Sequence, residues 1–244
     1  MEGRPKALLL KFPGTNCDAE TSRALRIVGF DTDIIPIARV TPENLEGVGL
    51  VVLSGGFSYG DYVMAGRLAA LETQRRLGGT LKDFVKNGGF AIGICNGFQI
   101  LTQLGLLPKG SLIDNTSGRF QCRWVTMKNL APSSPYLKDL PDEFELPIAH
   151  AEGRFVTLDE ASEDYFSTGN VALTYTSDVN GSEQQIAGIH GHGGRVLGLM
   201  PHPERFLYRR HHYDPDWDGD PEWGWGYYIF KCVYESVSAA NLVA

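Results

Sequence analysis

The sequence has no surplus of positive charge: 22 lysines and arginines stand against 29 aspartates and glutamates, a net −7 over 244 residues. That balance excludes a general nucleic-acid binder, which needs a basic face for phosphate. Long apolar runs are missing as well. The longest are strand-length pieces such as residues 50–53, so no membrane-spanning segment is expected. Residues 1–6 lack the apolar stretch of a secretory leader. Cysteine is scarce and scattered, at Cys17, Cys95, Cys122 and Cys232, with no C-x-x-C pair. This pattern argues for reduced thiols in a cytoplasmic protein rather than a disulfide framework or a zinc site. There is no G-x-x-x-x-G-K-S/T phosphate loop, no linker, no repeat and no low-complexity tract. Residues 1–244 are therefore expected to form one domain, long enough to bury roughly three quarters of its unfolded surface.

What is present alternates between two periods. Apolar runs at 6–11, 32–37, 49–53 and 89–94 have strand length. Between them, helical spacing starts at Asp18 and stops at Gly29, and runs over 68–86 with a break at Gly78-Gly79. Thr41-Pro42-Glu43 opens a short helix with a polar cap and an early proline, and residues 96–104 begin another. Strands apolar on both faces, alternating with helices, predict an α/β fold: a mostly parallel open sheet covered on both sides. The second half predicts short further strands at 122–128, 153–158, 171–175, 185–190 and 195–199, some antiparallel, before a C-terminal helix over 225–240.

Parallel sheets bind ligands outside the carboxyl ends of their strands. There, Gly93-Ile94-Cys95-Asn96-Gly97 has the layout of a nucleophile elbow, a strand turning sharply into a helix under an exposed nucleophile. Glycines two residues either side of Cys95 permit the close approach of strand and helix. The helix N-terminus beneath the sulfur favours thiolate. A cysteine nucleophile needs a base, and the base an orienting group. Met200-Pro201-His202-Pro203-Glu204 follows the strand at 195–199, and its prolines end that strand with His202 rigidly presented. On an extended backbone Glu204 projects to the same side and holds one tautomer of His202. His150, in Pro147-Ile148-Ala149-His150, is the second candidate base. Paired glycines after the third strand, in Ser54-Gly55-Gly56-Phe57-Ser58-Tyr59-Gly60-Asp61, let backbone N–H groups turn inward. Gly56 N–H and Asn96 N–H are accordingly assigned to an oxyanion hole.

These residues resemble the class I, triad-type glutamine amidotransferases, whose elbow reads G-x-C-x-G-x-Q, here Gly93 to Gln99. With Pro13-Gly14-Thr15-Asn16-Cys17-Asp18, the loop 55–61, Pro147 to His150 and Pro201 to Arg205 in that order, the match narrows. Over about residues 6–206 it is similar to the glutaminase component of phosphoribosylformylglycinamidine synthase, in purine biosynthesis. The resemblance implies a flavodoxin-like fold and a Cys95–His202–Glu204 triad that hydrolyses glutamine through a thioester. It implies Gly56 and Asn96 at the oxyanion, and Phe57, Gln99 and His150 along the glutamine pocket. It also implies partners: a large synthetase subunit that receives the ammonia and uses ATP and magnesium, and a small accessory subunit. No cofactor is expected in this chain itself.

Two departures from the family pattern stand out. Ala151 replaces the usual glycine of the His-Gly-Glu-Gly segment, and residues 206–226 form an acidic, tryptophan-bearing insertion. Asp214, Asp216, Asp218 and Gly219 match the first half of a calcium loop, but its twelfth position is Trp225 instead of Glu. A surface insertion is the preferred reading. Trp217, Trp223 and Trp225 then either meet a partner or cap the chain's own core. Two other functions use the same residues: a free cysteine amidase or peptidase, and a non-catalytic regulatory module.

Overall fold

A computed structural model describes residues 3–61, 64–157 and 167–241. The alternating half contains β1 (Lys6–Lys11), α1 (Asp18–Val28), β2 (Asp31–Pro36), β3 (Val48–Leu53), α2 (Arg67–Leu77), α3 (Thr80–Lys86), β4 (Phe90–Ile94) and α4 (Asn96–Gln103). The second half adds β5 (Gly110–Ile113), β6 (Gln121–Asn129), β7 (Glu143–His150), β8 (Arg154–Thr157), β9 (Val171–Tyr175), β10 (Ile186–Gly191), β11 (Val196–Leu199) and α5 (Trp225–Asn241). The expected strand at 153–158 is β8; its last residue, Leu158, lies outside the described residues. The helix breaks follow local chemistry. Gly29 ends α1 in the left-handed region, its N–H returning to Arg26 O, and Gly78, also at positive φ, separates α2 from α3.

Among the described residues nine strands form one sheet, in the order β2-β1-β3-β4-β11-β10-β9-β6-β7. The first five are mutually parallel, which is the 2-1-3-4-5 order of flavodoxin-like sheets with β11 as the fifth strand. The remaining four alternate in direction. Strands β4 and β11 are buried along their whole length and β3 along nearly all of it, so both faces need cover. The packed helix pairs α1–α5 and α2–α4 supply it.

Two strands escape the sequence pattern. β5 is short and, among the described residues, pairs only with β8, apart from the main sheet. β7 carries Pro147, which removes a ladder donor and argues against a strand; it survives because β7 is the edge of the sheet. Alternation of direction from β11 through β6 leaves β7 running the same way as β4 and β11. The ends of β1, β3, β4, β11 and β7 therefore meet at one rim.

The acidic segment 206–226 packs on its own chain. Phe206, fully buried, lies edge-on to Trp124 of β6 at 4.9 Å and to Trp217 at 5.1 Å. Trp217 meets Trp225 at 5.5 Å, and Trp223 stacks on Tyr227 at 4.0 Å. The tryptophans cap the domain's core, which is the second of the two readings. The incoming helix of a calcium loop is reduced to one 3-10 turn at Arg209–His211. Asp214 accepts the Asp216 N–H at 2.9 Å, and the aspartates here do not converge on a common point.

Candidate active site

Cys95 sits where β4 becomes α4, at φ 53° and ψ −107°, a conformation an L-residue adopts only under constraint. The constraint is visible on both sides. Cys95 N–H donates to Leu199 O of β11 at 2.8 Å, while its carbonyl accepts the N–H groups of Phe98 and Gln99 in α4. A Cβ on Gly93 would lie 2.4 Å from Gly97 O, and one on Gly97 would lie 1.8 Å from Leu53 O. Both glycines of the elbow are thus steric requirements, as the spacing predicted.

His202 follows β11 and is held by a backbone bond to Pro147 O of β7 at 2.8 Å. Its Nδ1 meets Glu204 Oε1 at 2.6 Å, with both side chains buried. The route differs from the expected one. The backbone does not stay extended: Pro203–Arg205 is a 3-10 turn with Pro203 at its first position, and the turn swings Glu204 back under the ring. Among the described residues the other nitrogen, Nε2, has no hydrogen-bond partner, and the ring lies beside the sulfurs of Cys95 and Cys17. Burial opposes charge on this imidazole. The Glu204 carboxylate and the two sulfurs outweigh that and hold its pKa well above the usual histidine value. The nucleophile, base and orienting carboxylate named from sequence therefore do meet.

The glycine loop after β3 is tied to the elbow. Ser58 N–H donates to Asn96 Oδ1 at 3.2 Å, and Gly56 forms an isolated bridge with Thr15 after β1. Phe57 N–H to Gly14 O and Asn16 N–H to Gly55 O close that bridge, leaving the Gly56 N–H outside it. Gly56 has φ 149° and a Cβ there would strike Gly14 O at 2.7 Å, so the loop admits no side chain.

These elements enclose a pocket of about 260 Å³ lined by Cys95, His202, Gly56, Phe57, Gln99 and His150, among others. It suits one amino acid better than a nucleotide. A larger, open depression of about 770 Å³ near α3 and α5 holds none of these residues. Phe57 is exposed at the rim beside Phe120, ring centroids 6.3 Å apart. Gln99 has its amide engaged at both ends: Oε1 accepts from Asn96 Nδ2 at 2.8 Å, and Nε2 donates to Glu152 O at 2.7 Å. His150 faces the pocket too, but its Nδ1 is bound to Asn115 Oδ1 at 3.0 Å rather than to a carboxylate. Burial lowers its pKa to about 4. His202, by contrast, is paired with a carboxylate and lies beside the Cys95 sulfur.

Four lining or supporting residues had no role in the sequence reading: Cys17, Arg205, Asn115 and Glu152. Arg205 Nη2 donates to Cys17 Sγ at 3.3 Å, and burial pushes the Cys17 thiol up. The available signal was positional, since Cys17 follows the carboxyl end of β1 as Cys95 follows β4. Cys17, His202 and Glu204 offer ligand-type atoms within 4.8 Å of one another, the one such group among the described residues. Within it His202 Nδ1 and Glu204 Oε1 are already bonded to each other.

Comparison with known proteins agrees with this geometry. A CobB/CobQ-like glutamine amidotransferase domain matches residues 4–234. The phosphoribosylformylglycinamidine synthase subunit PurQ of Thermotoga maritima is 40% identical over 204 residues, covering 83% of this chain and 88% of that protein. The same subunit of Dehalococcoides mccartyi is 38% identical over 243 residues, covering 92% of this chain and 94% of that one. In the solved structure of PurLQS from Thermotoga maritima, a chain superposes with a TM-score of 0.78 at 35% identity, covering 99% of this chain and 100% of that chain. A glutamine amidotransferase from Thermotoga maritima shares the fold at a TM-score of 0.53 and 18% identity. With this fold, this elbow and these relatives, the chain belongs to the family of glutamine amidotransferase subunits, PurQ, of phosphoribosylformylglycinamidine synthase.

Proposed function

We propose that residues 1–244 act as one glutaminase domain in which Cys95, His202 and Glu204 release ammonia from glutamine. The observation that carries this reading is the elbow cysteine at φ 53° beside a buried His202–Glu204 pair. Cys95 gives its proton to His202, and the sulfur attacks the side-chain carboxamide carbon. The oxygen of the tetrahedral adduct lies against Gly56 N–H and Asn96 N–H. His202 returns the proton to the leaving nitrogen, ammonia departs, and a γ-glutamyl thioester remains. Water, deprotonated by His202, then attacks the thioester carbon; the sulfur leaves and glutamate is freed. Glu204 keeps the Nδ1 proton in place throughout.

In the same proposal the ammonia passes to a large synthetase subunit, which spends ATP with magnesium to convert formylglycinamide ribonucleotide into the amidine. A small accessory subunit completes the assembly. The support is the relative solved within PurLQS, with which this chain aligns over nearly its full length. A cytoplasmic setting fits four free cysteines, one of them a nucleophile. Among the described residues no helix is long and apolar enough to cross a membrane.

The test is Cys95→Ser in the assembled complex. Glutamine-dependent amidine synthesis is expected to vanish while synthesis from added ammonia continues. Loss of both activities would contradict the division of labour. The isolated chain is expected to hydrolyse glutamine slowly, and rapid partner-free turnover would favour a free amidase.

A further inference from the structure

Cys95 and His202 lean on the same edge strand. Pro147 O of β7 accepts the His202 N–H at 2.8 Å, and Ala149 O, two residues on, accepts the Cys95 thiol at 3.7 Å. Alternate carbonyls of a strand point to the same side, here the free edge of the sheet. β7 is therefore the ruler that spaces sulfur and imidazole. It is also a thinly supported strand. Among the described residues its only ladder partner is β6, and Pro147 brings no N–H to that ladder.

The segment 206–226 supplies further support. Glu145, Pro147 and Ala149 share one face of β7, and Trp124 of β6 lies opposite Pro147 on that face. His212 reaches the same face. Its Nε2 lies 3.0 Å from Glu145 Oε2, and its side chain is only 2% exposed. The imidazole stacks on Trp217 at 5.2 Å and meets Trp124 edge-on at 4.8 Å. The other Glu145 oxygen accepts from Thr126 Oγ1 of β6 at 3.4 Å, so the carboxylate is fixed from both sides. The ends of the segment are fastened to the turn that carries Glu204. Phe206 N–H donates to Pro203 O at 3.1 Å, and Gly226 N–H returns to Phe206 O at 2.9 Å. A Cβ on Gly226 would collide with Pro203 O, so α5 begins in direct contact with that turn. One stretch of chain thus ties the His202–Glu204 turn to the strand from which His202 hangs.

We propose that residues 206–226 are a brace that sets the distance between Cys95 and His202, with His212 and Glu145 as its positioning contact. Neither side chain is in the pocket lining. The inference rests on the glutaminase reading and adds a dependence to it: the chemical step is tuned by a contact that glutamine never meets. Proton transfer from sulfur to imidazole needs hydrogen-bond reach. A β7 freed at Glu145 moves the Pro147 and Ala149 carbonyls and spoils that reach. The wall beyond Ala149 is clamped separately. Asn115 binds Ala151 O at 2.8 Å, His150 O at 2.9 Å and Gly153 N–H at 3.2 Å, so the pocket itself keeps its shape.

The test follows formation of the γ-glutamyl thioester on Cys95 in the assembled complex, by rapid quench and mass spectrometry over a range of glutamine concentrations. His212→Ala and Glu145→Ala remove the contact from its two sides, so the outcome does not hang on one variant folding. Each is expected to lower the limiting rate constant by about 10-fold, a fraction of the loss that a 1 Å misplacement causes. The half-saturating glutamine concentration should stay within about threefold, because binding is left intact. The double variant should lose no more than either single one. His212→Gln, whose amide still donates to Glu145, should recover most of the loss. Trp223→Ala is the control. Trp223 stacks on Tyr208 and Tyr227 instead, so its loss should lower Tm and leave the rate constant alone. If His212→Ala and Glu145→Ala lower Tm but keep the wild-type rate constant, or if Trp223→Ala slows the step equally, the brace is refuted. If wild-type Cys95 acquires no thioester while the complex still makes amidine from added ammonia, the glutaminase reading itself fails.

Discussion

Gly97→Ala tests the elbow at its tightest point. The added Cβ would lie 1.8 Å from Leu53 O and 2.6 Å from Leu53 C, atoms of the β3 backbone rather than a side chain that can turn away. Restoring ordinary contact needs α4 and β3 to part by about 1.5 Å, and a rigid interior resists this. Overpacking of this kind costs about 3 kcal/mol, the upper end of the usual range, because backbone is displaced. In a domain of this size that is a fall in Tm of roughly 6–12 °C. The catalytic effect should be larger in proportion. Leu53 leads directly into the Gly55-Gly56 loop, and Asn96 adjoins the displaced residue, so both of the proposed oxyanion donors move. A shift of about 1 Å at such a site costs on the order of 100-fold in rate. The assay is glutamine-dependent against ammonia-dependent amidine synthesis in the complex, with thermal unfolding followed by circular dichroism. Gly79→Ala is the control: its φ is −82°, and the nearest atom to its Cβ is Asp83 Oδ2 at 3.8 Å. If Gly97→Ala matches Gly79→Ala in both glutamine-dependent rate and Tm, the steric account of the elbow is wrong.

Three further outcomes are expected. Burial lowers the pKa values of His150 and His190 to about 4, so below about pH 6.5 the unfolded chain binds protons that the native one refuses. Stability is full above that pH and falls toward pH 4, by on the order of 3 kcal/mol per histidine. Urea unfolding at several pH values should show the slope, His190→Gln should remove about half of it, and a flat profile would contradict it. Phe206→Ala should cost about 3–5 kcal/mol by urea unfolding, since the ring anchors Trp124 and Trp217. Trp217→Ala should lower Tm yet leave subunit co-purification intact, and lost assembly would restore the partner reading. Cys17 is one of the groups raising the pKa of His202, so Cys17→Ala should move the alkaline limb of the Cys95 alkylation profile to lower pH. An unmoved limb would show that Cys17 does not act on the base.

The parts of the site legible in the sequence are those fixed by short-range chemistry. Gly93, Cys95 and Gly97 announce the elbow because backbone contacts at 2.4 and 1.8 Å forbid any side chain at either glycine. His202 announces itself through flanking prolines that stop β11. Glu204 comes beside His202 by another route than the sequence suggests, since a 3-10 turn rather than an extended segment delivers it. Cys17, Asn115 and Glu152 were not legible as a group. That Cys17 and Glu152 line one pocket depends on β1 and β7 reaching one rim from far apart in the sheet, and no local period encodes that. β7 itself was obscured by Pro147, whose tolerance depends on being at an edge, a fact of the assembled sheet.

The central position of β11 has a bearing on how the protein is made. Synthesis runs from the N-terminus, and domains begin to fold as they emerge. When β4 and its cysteine have left the ribosome, the strand that accepts the Cys95 N–H is still about 100 residues from existing. So is His202, which lies 202 − 95 = 107 residues after the nucleophile. No fragment that ends before β11 can hold the elbow from both sides or contain His202. On the proposed triad, insertion of this last strand into the middle of the sheet is also the step that completes the site, and a chain that ends before it is expected to release no ammonia from glutamine.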